Sequence, residues 1–119
     1  MYRQMKDVKL AVIGLGYVGL PLLIEFAKKF SCIGFDIQQK RIAELIAGLD
    51  HTNELSRDEL LAANDVTYTC DSAALTEANV YIVTVPTPID KQKRPDLTPL
   101  EKASSTVGKA LSKGDIVIY

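Results

Sequence analysis

Gly14-Leu15-Gly16-Tyr17-Val18-Gly19 carries the spacing G-x-G-x-x-G. That spacing serves to hold a pyrophosphate. The first glycine permits a tight turn, the second lets phosphate oxygens approach bare backbone, and the third lets the following helix pack close to a sheet. Free N–H groups and the positive end of the helix dipole then face the anion. The pattern is informative only between a strand and a helix. Both are expected here, because Val8 to Ile13 is a nearly continuous apolar run and helical periodicity begins at Tyr17.

Asp36 closes a second apolar run, Cys32 to Asp36, about 20 positions past Gly14, the place of a ribose-binding carboxylate. It would accept hydrogen bonds from the 2′- and 3′-hydroxyls of adenosine. A 2′-phosphate would meet a like charge there, and the next residue is Ile37 rather than a cation, so NAD is expected over NADP. A plainer reading coexists with this one: Asp36 with Gln39 fits the D-x-x-Q start of a helix. Arg41, one helical turn further on, reads either as a cation reaching back to the ribose or a phosphate, or as a solvated helix residue.

Other reactive side chains carry less. Cys32 opens the second strand, away from the carboxyl ends where open α/β sheets bind ligands, and Cys70 follows the third strand at the opposite end, so a disulfide is not expected. His51 sits in the polar stretch Asp50 to Glu54 and reads as a surface residue. Two cysteines and one histidine cannot close a Cys/His zinc site, and no metal site is expected.

The elements that must position these residues follow from periodicity. Apolar, β-branched runs at Val8 to Ile13, Cys32 to Asp36, Val66 to Thr69, Val80 to Val85 and Ile116 to Tyr119 alternate with helical segments. The first, fourth and fifth are apolar on both faces, which favours a parallel sheet covered on both sides. A helix over about 17–30 is expected to turn Val18, Leu22, Phe26 and Phe30 inward, with Leu20, Leu23 and Ile24 widening the apolar surface. A second helix over about 38–49 is expected to bury Ile42, Leu45, Ile46 and Leu49 and to turn Lys40, Arg41 and Glu44 toward water or ligand. Ser56 with Glu59, and Thr98 with Glu101, fit capping boxes, and Pro99 fits the first turn of the last helix. That helix is expected to bury Leu100, Ala103, Val107 and Leu111 and to end at Lys113 and Gly114.

The whole chain agrees with this. Its 119 residues suit one domain, over 1–119, and 47% hydrophobic with 24% charged residues is the balance of a packed globular protein. The net charge of −1 and the lack of long basic runs argue against nucleic acid as a partner. No segment approaches the ~20 apolar residues of a membrane span and no signal peptide is evident, so a cytoplasmic protein is expected. The sequence ends inside a strand without a cap or polar tail, and reads as truncated at its C-terminal end.

The glycine motif in GLGYVGLPL, Asp36 with its basic residue five on, VPTP at Val85 to Pro88, and PDLTPLEKA together resemble the N-terminal domain of the UDP-glucose/GDP-mannose dehydrogenase family. The resemblance implies an α/β, Rossmann-type, doubly wound and mainly parallel sheet with helices on both faces. It implies NAD contacts at Gly14, Gly16, Tyr17, Val18, Gly19, Asp36, Arg41, Val85, Pro86 and Thr87. The loop Ile89 to Leu97 is most similar to the branch that oxidises UDP-N-acetylhexosamines for surface polysaccharide synthesis. Such enzymes oxidise the C6 alcohol to the uronic acid with two NAD, through a thioester on a catalytic cysteine, and the resemblance implies a homodimer. The family's G-x-C-x-P-K-D motif matches neither Thr69-Cys70-Asp71 nor Ser31-Cys32-Ile33, so no catalytic residue is expected in this chain. A non-catalytic nucleotide-sensing module is the reading from another class.

Overall fold

The computed structural model describes residues 8–63, 65–89 and 91–119; Asp90 of the loop noted above lies outside them. Five strands, β1 (Lys9–Ile13), β2 (Ser31–Phe35), β3 (Val66–Thr69), β4 (Val80–Val83) and β5 (Ile116–Ile118), form one sheet in the order β3-β2-β1-β4-β5. Every pairing is parallel, with Ala11 opposite Ile33 on one side and Tyr81 on the other. The expected α/β architecture is the observed one. The strand order reverses at β1, so the crevice between the carboxyl ends of β1 and β4 is the switch point where such sheets bind ligands.

Alternation along the strands builds two cores. Leu10 and Val12 point to one face and pack with Cys32 and Ile82 under α1 (Gly19–Phe26), α2 (Gln39–Ile46) and α3 (Arg57–Ala62), through Leu20, Leu23, Ile24, Ile42, Leu45 and Leu60. Ala11 and Ile13 point to the other and pack with Ile33, Phe35, Tyr81 and Val83. That second face is covered by a 3-10 helix, Ser72–Glu77, and by α4 (Thr98–Ala110), through Leu75, Ala103, Val107 and Ala110. A central strand buried on both faces needs apolar residues at every position, which is why its run is unbroken.

Helix boundaries depart from expectation for local reasons. α1 starts at Gly19, and Val18 is 68% exposed instead of inward; the buried positions are Leu20, Leu23 and Ile24. α2 ends at Ile46 because Gly48, at φ +81°, closes a Schellman turn: the Gly48 N–H donates to Leu45 O and the Leu49 N–H to Glu44 O. Leu49 is thereby carried off the helix, and both Ile46 and Leu49 are exposed. The Ser56/Glu59 capping box is present, with each side chain accepting the other residue's amide. The Thr98/Glu101 box is not: Leu97 holds the cap position, and Asp96 accepts the Thr98 N–H at 2.9 Å. α4 ends at Ala110, so Leu111 is exposed, and Gly114 at φ +92° belongs to the turn into β5.

Candidate dinucleotide site

The glycine turn is fastened to both neighbouring strands. Gly14, at φ +100°, lies in the region that favours glycine, and its N–H donates to Phe35 O at the end of β2 (2.8 Å). On the other side the Thr84 hydroxyl, just past β4, donates to Gly14 O at 2.8 Å and lies 3.2 Å from Ile13 O. Gly19 packs against the Gly14 carbonyl with no room for a Cβ, whereas a Cβ on Gly16 would meet nothing within 4 Å. Gly19 thus serves close packing, and Gly16 opens a bare stretch of main chain toward solvent. Tyr17 and Val18, both exposed, lead into the N-terminus of α1, whose Leu20 and Leu22 amides donate back to Gly16 O (3.2 Å) and Val18 O (3.3 Å).

Asp36 binds this turn from the end of β2. Its Oδ2 accepts the Leu15 N–H (3.0 Å) and its Oδ1 accepts the Gln38 N–H (2.9 Å). It is therefore not the cap of α2, a position held by Gln38. Each oxygen keeps a further lone pair for a hydroxyl donor.

Arg41 is not the solvated helix residue of one of its two expected readings. It is only 6% exposed, and its Nε donates to Leu15 O at 2.7 Å while Nη1 donates to Asp50 at 2.9 Å. Its Nη2 is buried without a hydrogen-bond partner among the described residues. The guanidinium is thus a strut under the glycine turn, not a solvated helix group. Asp50 also accepts from Thr52 Oγ1 (2.6 Å) and from the main-chain amides of Thr52, Glu54 and Leu55. Burial alone would raise the Asp50 carboxyl, but the bonds from Thr52 and Arg41 outweigh it and hold it down to about 2.

These elements line a cleft of about 790 Å³ at the carboxyl ends of the strands, within the range of small-molecule sites. It brings together Gly14, Gly16, Tyr17, Val18, Asp36, Arg41, Val85 and Pro86. Gly19 lies beneath the lining, and Thr87, expected to offer a hydroxyl, is exposed outside it; Thr84 is the threonine at the switch point. Sequence reasoning missed Thr84 and Lys102 in the lining, the latter a cation from α4, and Asp50 behind it, and read His51 as a plain surface residue. His51 is exposed, but its Nδ1 lies 2.6 Å from Glu44 Oε2 and its ring lines the cleft. Thr84 had a visible signal, as the one aliphatic hydroxyl inside the apolar run Val80 to Val85. Asp50 had none, because its meaning depends on the Schellman turn that folds it back onto Arg41.

The two cysteines stay out of the cleft. Cys32 is buried, and burial with the nearby Asp65 charge pushes its thiol up to about 11, which makes it a poor nucleophile; Cys70 is exposed and also unpaired. Among the described residues no helix is long and apolar enough to cross a membrane.

A bare glycine turn, a helix N-terminus and a strand-end carboxylate around one cleft fit a dinucleotide's pyrophosphate and ribose. The fold and the site together define a Rossmann-type dinucleotide-binding domain. The family model for the UDP-glucose/GDP-mannose dehydrogenase family, NAD binding domain, matches residues 8–119, and the chain belongs to that family, with NAD as the cofactor of this domain. UDP-N-acetyl-D-glucosamine 6-dehydrogenase of Pseudomonas aeruginosa is 60% identical over 115 residues, 97% of this chain and 27% of that protein. The enzyme of the same name from Salmonella typhi is 53% identical over 113 residues, 95% of this chain and 27% of its own length. The solved structure of a UDP-D-ManNAc dehydrogenase from Pyrococcus horikoshii superposes with a TM-score of 0.84 at 34% identity, covering 92% of this chain and 27% of that one. The chain thus spans about 27% of the length of the relatives it matches.

Proposed function

We propose that this chain is the cofactor-binding part of an NAD-dependent UDP-N-acetylhexosamine 6-dehydrogenase. The substrate is a UDP-sugar whose C6 alcohol becomes a carboxylate in two NAD-dependent steps, for surface polysaccharide synthesis. The enzyme works in the cytoplasm as a homodimer. Support for the substrate class comes from the names of the relatives in Pseudomonas aeruginosa and Salmonella typhi.

The chain's own residues bind and orient the cofactor. Bound NAD supplies the acceptor for a hydride from the carbon being oxidised. Gly16 lets the pyrophosphate reach the main chain, and the N-terminus of α1 places amide dipoles against its charge. Asp36 receives the adenosine ribose hydroxyls, and the Val85-Pro86 segment with α4 forms the opposite part of the cleft lining. None of these groups takes or gives a proton in the reaction.

The observation that carries the reading is the Asp36 carboxylate, tied to Leu15 at the edge of the cleft. A 2′-phosphate would bring negative charge against it. Calorimetric titration with NAD and with NADP tests this: NAD should bind at least tenfold more tightly. Equal binding of the two, or tighter NADP, would overturn the assignment.

A further inference from the structure

We propose that Asp50 is a positioning residue for dinucleotide binding, acting through Arg41 and the Leu15 main chain on the ribose acid Asp36. The inference rests on the proposed NAD-binding role of this cleft and assigns a function to a residue some way along the chain from the glycine turn.

The route is continuous. The Asp50 side chain has no solvent exposure and accepts four hydrogen bonds from its own loop: the Thr52 hydroxyl and the amides of Thr52, Glu54 and Leu55. The carboxylate is therefore fixed by the turn after α2, whichever way Arg41 points. Its fifth bond is the one that leaves the loop, to Arg41 Nη1 at 2.9 Å. The planar guanidinium converts this into a directed contact, because with Nη1 pinned its Nε is aimed at Leu15 O, 2.7 Å away. Leu15 in turn donates its N–H to Asp36 Oδ2 at 3.0 Å. Both main-chain polar groups of Leu15 are thus held, one by each end of the relay.

Holding Leu15 orients the peptides on either side of it. These are the peptides that lead into Gly16, where the pyrophosphate lies against bare backbone. It also fixes the rotamer of Asp36, since one of its oxygens is committed to Leu15. A buried ion pair adds little stability over an apolar pair of the same shape. What Asp50 and Arg41 supply that an apolar pair does not is direction at Leu15.

The test is calorimetric titration of NAD and NADP into the whole chain and its Asp50→Asn, Arg41→Lys and double variants. Asp50→Asn keeps the shape and an acceptor oxygen but removes the charge. Arg41→Lys keeps a cation beside Asp50 but lacks the fork that also reaches Leu15. Each single change should weaken NAD about tenfold and weaken NADP less, so that discrimination falls. The double variant should bind within about threefold of the weaker single variant, because both act along one route. NAD affinity unchanged in either single variant, or losses that multiply in the double variant, would overturn the inference while leaving the proposed function intact. A wild-type chain that binds no NAD would overturn both. If Asp50→Asn fails to fold, Arg41→Lys decides alone.

Discussion

Gly19 lies so close beneath Gly14 that a Cβ built on it would overlap the Gly14 carbonyl oxygen and come within 2.5 Å of the Thr84 hydroxyl. The obstructing atom is main chain, and that main chain is fastened to β4 through Thr84. Gly19→Ala should therefore displace α1 from the sheet and lower stability by about 2 kcal/mol, the usual size of overpacking. Urea unfolding should show a lower midpoint with an unchanged slope. A midpoint equal to wild type would show that the helix can slide freely.

The opposite outcome is expected three residues earlier, at Gly16. A Cβ there meets no protein atom within 4 Å, so Gly16→Ala should leave the free energy of urea unfolding within about 0.5 kcal/mol of wild type. The methyl group would instead stand where the pyrophosphate approaches the backbone, and NAD affinity should fall tenfold or more. A variant that binds NAD normally would mean that the cofactor passes elsewhere.

Asp36→Ala removes the acceptor for the ribose hydroxyls and releases the Leu15 N–H. Loss of a charged hydrogen-bond partner costs about 1 to 3 kcal/mol, or roughly 5- to 150-fold in affinity. NAD should weaken by that amount in a calorimetric titration, and NADP by less. Equal losses for both nucleotides would argue that Asp36 serves the turn and not the ribose.

What was legible in the sequence was whatever depends on neighbours along the chain. The apolar run that becomes β1, the glycine turn and Asp36 form a local pattern, and the Ser56/Glu59 box needs only one helical turn. Tertiary placement was not legible. Val18 fits a helical stripe, yet the glycine turn sets it at the cleft, exposed. Ile46 and Leu49 fit a stripe that the Gly48 turn cuts short. Arg41 reads as a ribose or phosphate cation or as a solvated helix residue, and nothing in its own helix announces its bonds to Asp50 and Leu15 O or the burial they bring about.

Tyr68 packs beside Gly34 under α1, and its hydroxyl is buried without a hydrogen-bond partner among the described residues. Burial raises its ionisation range, while the Arg41 charge acts in the other direction. A buried hydroxyl with no partner costs free energy that a phenyl ring does not. Tyr68→Phe should be neutral or stabilise the fold by up to about 1 kcal/mol, read as a raised urea midpoint. Destabilisation by more than 1 kcal/mol would reveal a bond to an ordered water that the hydroxyl depends on.

Acid should dismantle the Asp50 relay in a defined window. Its carboxyl is held at about 2, against 3.8 for an ordinary aspartate, by bonds that overcome the opposing effect of burial. The folded form thus binds the proton less well than the unfolded form, so the contribution to stability is complete above about pH 5 and declines as pH falls through 4 toward 2. Holding the carboxyl at about 2 instead of 3.8 corresponds to about 2 kcal/mol, and roughly half of that should be gone by pH 3. Asn at position 50 has no such proton to take up. The difference in urea stability between wild type and Asp50→Asn should therefore narrow by about 1 kcal/mol between pH 6 and pH 3. A difference that stays constant over that range would mean that the carboxylate is not held below its ordinary value, and that its bonds to Thr52 and Arg41 are weaker than their lengths imply.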